Sequence, residues 1–146
     1  MKGGVILKYT IVGCFGIVGT FIASMFGGWT TALTTLCIFM GIDFITGIIV
    51  AGVFHKSPKS ANGTLESKSG FKGLCRKGLI LAFVVVGYRL DLALGSSYIK
   101  DGVCIAFIVN ELISIIENAG LMGVPLPNII KNALELLNNK NKSDSM

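Results

Sequence analysis

Long uncharged apolar runs constrain this chain more than any other feature of its sequence. Residues 9–26 contain no charged residue, and residues 30–54 contain only Asp43. Each run is long enough to cross a bilayer, because a helix of about 20 apolar residues spans its hydrocarbon core. Only 14% of the residues are charged, whereas a soluble domain has about 25%. The sequence therefore predicts an all-α integral membrane protein.

Two further apolar runs carry charges. Residues 78–95 contain Arg89 and Asp91, and residues 103–122 contain two glutamates. About ten apolar residues at roughly −0.5 kcal/mol each favour inserting the fourth run, and two carboxylates at about 2.5–3.5 kcal/mol each cancel that gain. We predict four membrane-spanning helices, and a three-span version with the fourth run lying in the interface stays open.

The segment 55–77 between the second and third runs is basic and holds one acid, Glu66. Its proline and glycines are typical of a loop. Basic loops stay on the cytoplasmic side, so both chain ends are predicted to be inside. The segment lacks the G-x-x-x-x-G-K-[ST] pattern of a nucleotide-binding loop, and its lysines can also contact anionic lipid. The basic residues are Lys56, Lys59, Lys68, Lys72, Arg76 and Lys77.

The first run resembles a signal peptide because lysines precede it, yet its uncharged length exceeds a signal core and no convincing cleavage site follows. We predict a retained span. Small residues gather on one face of this helix, where they allow another helix to approach closely. Packing within the chain and self-association are both open for this face. The small residues are Gly13, Gly16, Gly19 and Ala23.

Polar side chains inside the apolar runs mark a candidate association face. Residues 110–118, wound at about 100° per residue, bring five polar residues within roughly a third of the helix circumference. They are Asn110, Glu111, Ser114, Glu117 and Asn118. Charged residues at mid-bilayer normally face a partner or a cavity, so Asp43 and Arg89 join this face. Arg89 and Glu111 reach similar depth in antiparallel helices, and we predict that they form an ion pair.

The chain ends in a short amphipathic segment. Residues 128–138 follow two prolines, and in a helix they place apolar residues on one face and polar residues on the other. Such a helix lies on the inner leaflet or contacts another subunit. Residues 139–146 form a polar tail.

Residues suited to catalysis or metal binding are scattered along the chain. The four cysteines lie in separate segments without a C-x-x-C pair, and His55 is the only histidine. We therefore predict no enzyme activity, metal or cofactor. The net charge is +5, but the basic residues lie between apolar runs instead of clustering on a folded surface, so no nucleic-acid partner is expected.

Three motifs resemble the phage lysis and toxin-secretion holins, a family that includes small clostridial toxin-release membrane proteins. They are D-F-I-T-G-I-I-V-A-G at 43–52, L-E-S-K-S-G-F-K-G-L-C-R-K at 65–77, and N-E-x-x-S-I-x-E-N followed by G-V-P-x-P at 110–127. The third motif is the most specific. Leu112 and Glu66 depart from the family pattern, which has glycine and often serine at these positions.

This resemblance implies one holin-type domain over residues 1–138 of a multi-pass protein in the host bacterial cell membrane. It implies that the protein associates with itself and opens lesions that release an endolysin or a large toxin. A small multispan transporter using Asp43 and Arg89 as a relay is an alternative. An antiholin, which restrains the lesion, has the same architecture.

Overall fold

A computed structural model describes residues 2–143 of the chain, and all of its elements are α-helices. They are α1 (Lys2–Met25), α2 (Thr31–Gly52), α3 (Ser67–Leu94), α4 (Ile99–Leu121) and α5 (Asn128–Ser143). The all-α prediction is confirmed for this part of the chain. Two helices, over Gly4–Met25 and Thr31–Gly52, are long and apolar enough to cross a membrane. The third and fourth spans stay predictions.

Helices α2, α3 and α4 form the packed unit of the molecule. Helix α4 packs against both α2 and α3. Helices α2 and α3 have few direct contacts with each other. The buried residues of α2 recur mostly at three- and four-residue spacing, which places them along one face of the helix. One cluster of buried apolar residues consists of Leu33, Leu36, Met40, Ile80, Val84 and Cys104. It comes from the first half of α2 and α4 and the middle of α3, so it lies toward one end of the unit, and Val50 and Ala51 are buried nearer the other end of α2.

Helix ends at this apolar end are fixed by local hydrogen bonds. Thr30 caps α2, because its hydroxyl accepts a hydrogen bond from the Leu33 N–H at 3.3 Å. Helix α3 ends at Leu94, and Gly95 is its C-cap residue. The φ of +65° at Gly95 suits glycine. The Asp91 carboxylate accepts hydrogen bonds from the N–H groups of Ile99 at 3.0 Å and Lys100 at 2.9 Å, so it caps the beginning of α4.

Several predicted boundaries differ from the structure. The predicted loop 55–77 ends at Glu66, and its last eleven residues are the first turns of α3. Gly70 and Gly73 suggested a loop, but each costs a helix only about 1 kcal/mol. Helix α4 begins at Ile99 instead of 103, and α5 continues to Ser143 instead of ending at 138. Residues 144–146 of the predicted tail lie outside the described residues.

Helix α1 has almost no neighbours in the described part of the chain. Nearly all of its residues are exposed, including Phe15 and Phe21. Beyond the backbone of α1 itself, no described atom lies within 4 Å of a Cβ added at Gly13, Gly16 or Gly19. The small-residue face of α1 is therefore not packed on another of the described helices. Self-association through that face stays a prediction.

Candidate functional site

Three charged residues from three helices meet near the middle of the packed unit. Asp43 lies nine residues before the end of α2, Lys77 ten residues after the beginning of α3, and Glu111 ten residues before the end of α4. At 1.5 Å per residue each charge is about 14–15 Å from the end of its helix near the 53–66 loop. The three side chains therefore lie at the same depth.

Lys77 bridges the two carboxylates. Its Nζ donates a hydrogen bond to Asp43 Oδ2 at 2.7 Å and another to Glu111 Oε2. The side chains of Lys77, Asp43 and Glu111 are 12%, 8% and 4% exposed. Ion pairs this well removed from water interact strongly, but each charge also loses its hydration. The lysine is what makes burial of both carboxylates tolerable.

Asn118 completes the arrangement from one side. Its Nδ2 donates to Asp43 Oδ1 at 3.1 Å and to the Thr46 hydroxyl at 2.9 Å, and lies 3.3 Å from the Asp43 carbonyl oxygen. Both carboxylate oxygens of Asp43 therefore accept hydrogen bonds. We name the four residues Asp43, Lys77, Glu111 and Asn118 the polar network. It links all three helices of the packed unit.

The predicted ion pair between Arg89 and Glu111 is wrong. Glu111 pairs with Lys77, and Arg89 is exposed. Lys77 and Arg89 are twelve residues apart on α3, which is about 18 Å along the helix axis. The prediction failed because α3 was expected to begin at residue 78, which left Lys77 in the loop. Asp43 also pairs with Lys77, which argues against the alternative in which Asp43 and Arg89 form a relay.

The polar stripe on α4 divides into a buried and an exposed edge. Glu111 and Asn118 are buried and belong to the polar network. Ser114 is half-buried, whereas Asn110 and Glu117 are exposed. The sequence predicted that this stripe is an association face. The structure buries its inner edge within one chain and leaves its outer edge exposed, and association between chains stays a prediction.

A cavity of about 360 Å³ lies between the polar network and the 53–66 loop. The network residues form one end of its wall. Side chains from the loop and the first turns of α3 form much of the rest, including Lys59, Lys72 and Arg76, and residues of α2 and α4 complete it. This volume is in the range of small-molecule sites. Some of the basic residues predicted as a topology signal thus line this partly open cavity.

A second buried polar group at the opposite end of the unit was missed by the sequence reasoning. Lys100 is 7% exposed, and its Nζ donates to the Phe26 carbonyl oxygen at 3.1 Å and lies 5.8 Å from the Tyr88 ring centre. It joins the segment after α1 to the packed unit. The predicted fourth run begins at residue 103, which left Lys100 in the loop before it. Lys100 belongs to α4 because this helix begins at Ile99.

Metal binding finds no support in the described residues 2–143. No group of three or more histidine, cysteine, aspartate or glutamate side chains in this part of the chain is placed to hold an ion. The four cysteines are free, and Cys104 is buried in the apolar core. The polar network is therefore best described as an ion-pair and hydrogen-bond cluster.

Comparison with known protein families decides the identity of the chain. The family model described as the bacteriophage holin family matches residues 20–139. The chain belongs to the bacteriophage holin family. The match confirms the family expected from the three motifs. It includes every residue of the polar network and the cavity, and it leaves out most of α1.

The curated relatives of this holin-family chain are similar in length to it. An uncharacterized protein of Clostridium perfringens is 38% identical over 125 residues, which cover 84% of this chain and 87% of the relative. An uncharacterized 14.9 kDa protein in the nagH 3′ region of the same species is 40% identical over 130 residues, covering 86% and 92%.

A third similar protein comes from another genus. An uncharacterized protein of Listeria monocytogenes is 35% identical over 141 residues, covering 96% of this chain and 92% of the relative. No solved structure matches the chain significantly. The holins are a family of non-enzymatic membrane proteins, which agrees with the apolar helices α1 and α2.

Proposed function

We propose that this chain acts as a holin, which associates with itself in the bacterial cytoplasmic membrane and opens lesions there. The lesions would release an endolysin or, as in some members of the family, a large toxin. The observation that carries the proposal is the polar network inside a unit whose outer surface is largely apolar. A chain with this arrangement is compatible with lipid until its helices separate, and then offers polar groups to water.

Four spans with both ends inside fit the helix lengths. Helices α2 and α4 have 22 and 23 residues, so each is about 33–35 Å long, and the hydrocarbon core is about 30 Å thick. Helix α3 has 28 residues and is about 42 Å long. Its extra length lies at the basic Ser67 end. This agrees with an α3 that projects into the cytoplasm beside the 53–66 loop.

Opening requires α2, α3 and α4 to move apart. In the closed unit Lys77, Asp43 and Glu111 satisfy each other and are largely buried. When the helices separate, water replaces these partners and the network residues become the lining of a hole. The exposed edge of the α4 stripe, Asn110 and Glu117, is then the first polar surface available to a neighbouring chain. Many chains must contribute, because a hydrolase is far larger than one bundle.

Controlled expression in bacteria tests the proposal. Membrane potential and viability are followed with and without a co-expressed muralytic enzyme. A holin produces abrupt loss of potential after a delay, with lysis only when the enzyme is present. Gradual loss, or none, contradicts the proposal and favours a transporter. Co-expression with an active holin identifies an antiholin, because it would delay the lysis caused by the other protein.

A further inference from the structure

The cavity between the polar network and the 53–66 loop has an uneven charge distribution. At its inner end Lys77 pairs with both Asp43 and Glu111. Its remaining charged wall residues are three cations, Lys59, Lys72 and Arg76, and one acid, Glu66. None of these three cations forms an ion pair with another side chain in the described part of the molecule. The outer part of the cavity therefore carries an excess of positive charge.

The beginning of α3 adds to this excess. Its N-cap residue Glu66 makes no side-chain capping bond, and its first turn contains no acid. Helix N-termini carry partial positive charge and unsatisfied N–H groups. A bound anion would offset these charges. Ser69, Gly70 and Gly73 bring this end of the helix to the cavity wall.

The 53–66 loop is folded over the cavity by specific contacts. The Ser69 hydroxyl donates to the Lys59 carbonyl oxygen at 2.9 Å, and the Ser57 N–H donates to the Gly63 carbonyl oxygen at 3.0 Å. Gly63 has a φ of +71°, and a Cβ there would lie 2.3 Å from the His55 carbonyl oxygen. The basic segment is thus a built surface, which the positive-inside rule alone does not require.

The cavity wall also has an apolar side. Phe44, Ile48, Leu65 and Ile80 contribute to it, and Ile48 and Leu65 are exposed. Basic residues next to apolar ones at the cytoplasmic boundary match a phospholipid, whose phosphate meets the cations while its acyl chains remain in the bilayer. We propose that this cavity binds the phosphate-bearing headgroup of an anionic phospholipid from the inner leaflet. The proposal requires membrane insertion with the loop inside, but holds whether or not the chain opens lesions.

Native mass spectrometry of the full chain in detergent with added phosphatidylglycerol or phosphatidylcholine tests the proposal. The variant Lys72→Gln/Arg76→Gln removes two cavity cations. The control Lys56→Gln/Lys68→Gln removes two cations of the same segment that do not line the cavity. We expect one retained phosphatidylglycerol in the wild type and control. The cavity variant should bind it at least about tenfold more weakly, since each basic residue near anionic lipid contributes roughly fivefold.

The remaining outcomes each decide the question. If both double variants lose phosphatidylglycerol equally, or if neither loses it, the cavity is not the binding site and the lipid is held by general attraction to the basic segment. Displacement of the lipid by millimolar inorganic phosphate would assign the cavity to free phosphate instead. Lys72→Arg/Arg76→Lys should restore binding, and unchanged helix content by circular dichroism should exclude misfolding of the glutamine variant. The readout is lipid retention, so failure here is independent of failure to cause lysis.

Discussion

Replacing Lys77 with methionine should destabilise the packed unit more than any other single loss of a positive charge. The change keeps the length of the side chain but leaves Asp43 and Glu111 buried without their common partner. Removing one member of a buried ion pair costs about 3–5 kcal/mol. The unfolding equilibrium constant should rise more than a hundredfold, because each 1.4 kcal/mol corresponds to about a factor of ten.

The measurement is denaturant titration of the purified chain in detergent, followed by circular dichroism. Arg89→Met is the matched control, because it removes the same charge from the same helix at an exposed position. Surface changes of this kind usually alter stability by less than about 0.5 kcal/mol. The difference between the two variants isolates the effect of the buried partners.

A triple variant distinguishes lost pairing from lost packing. Lys77→Met combined with Asp43→Asn and Glu111→Gln removes every charge of the network. Replacing a whole buried ion pair by well-packed apolar residues is often neutral or stabilising by about 1–4 kcal/mol, and the uncharged side chains of this variant likewise leave no buried charge unpaired. The triple variant should therefore recover most of the stability lost by Lys77→Met. If Lys77→Met unfolds at the same denaturant concentration as Arg89→Met, Asp43 and Glu111 do not depend on Lys77 for their burial. If the triple variant is as unstable as Lys77→Met, the loss of stability comes from packing and not from unpaired charge.

Three further predictions concern α4 and its cap. Asp91→Ala removes the acceptor for the first N–H groups of α4 and should lower the unfolding free energy by about 1–2 kcal/mol. Asp91→Asn should lose less, because its one carboxamide oxygen can still accept a hydrogen bond; an unchanged stability of Asp91→Ala would contradict the capping role. Asn118→Leu leaves Asp43 Oδ1 without its donor and should cost about 1–3 kcal/mol in the same titration, so an unchanged titration would argue against the network. Glu117→Gln should shift the time of lysis without changing stability, while Glu111→Gln should change both; identical behaviour would mean that the two edges of the stripe are equivalent.

The family and the helical architecture were accessible from sequence because they depend on local patterns. Uncharged runs predict helices wherever the chain lies in a membrane, and the motif at 110–127 lies within the range matched by the family model. The position of Asp43 in an apolar run suggested a partner or a cavity, and the structure places it against Lys77 and Asn118. These inferences use only composition, spacing and helical periodicity, and none requires knowledge of which helices are neighbours.

The partner of each buried charge was not accessible in the same way. Choosing between Arg89 and Lys77 depends on where α3 begins, and helix boundaries are the least certain part of a pattern-based prediction. Starting α3 at Ser67 instead of 78 brings Lys77 to the depth of Glu111. The division of the α4 stripe likewise depends on how α4 is rotated against α2 and α3, which the sequence of one helix does not contain.

A reversible cross-link tests most directly whether lesions open by separation of α3 and α4. A Cβ added at Gly87 lies 3.3 Å from a methyl carbon of Val103, so the two positions adjoin each other across the contact between α3 and α4, and a disulfide requires Cβ atoms about 3.5–4.5 Å apart. Gly87→Cys/Val103→Cys is made in a chain whose four native cysteines are replaced by alanine, with each single cysteine variant as the control for oxidation.

The measurement is membrane potential after induced expression, first under oxidant and then after addition of reductant. We predict that the oxidised double variant accumulates in the membrane without loss of potential, and that reduction causes abrupt loss. The single variants should cause loss under both conditions. An oxidised, fully cross-linked double variant that collapses the potential as early as its single-cysteine controls would contradict opening by helix separation.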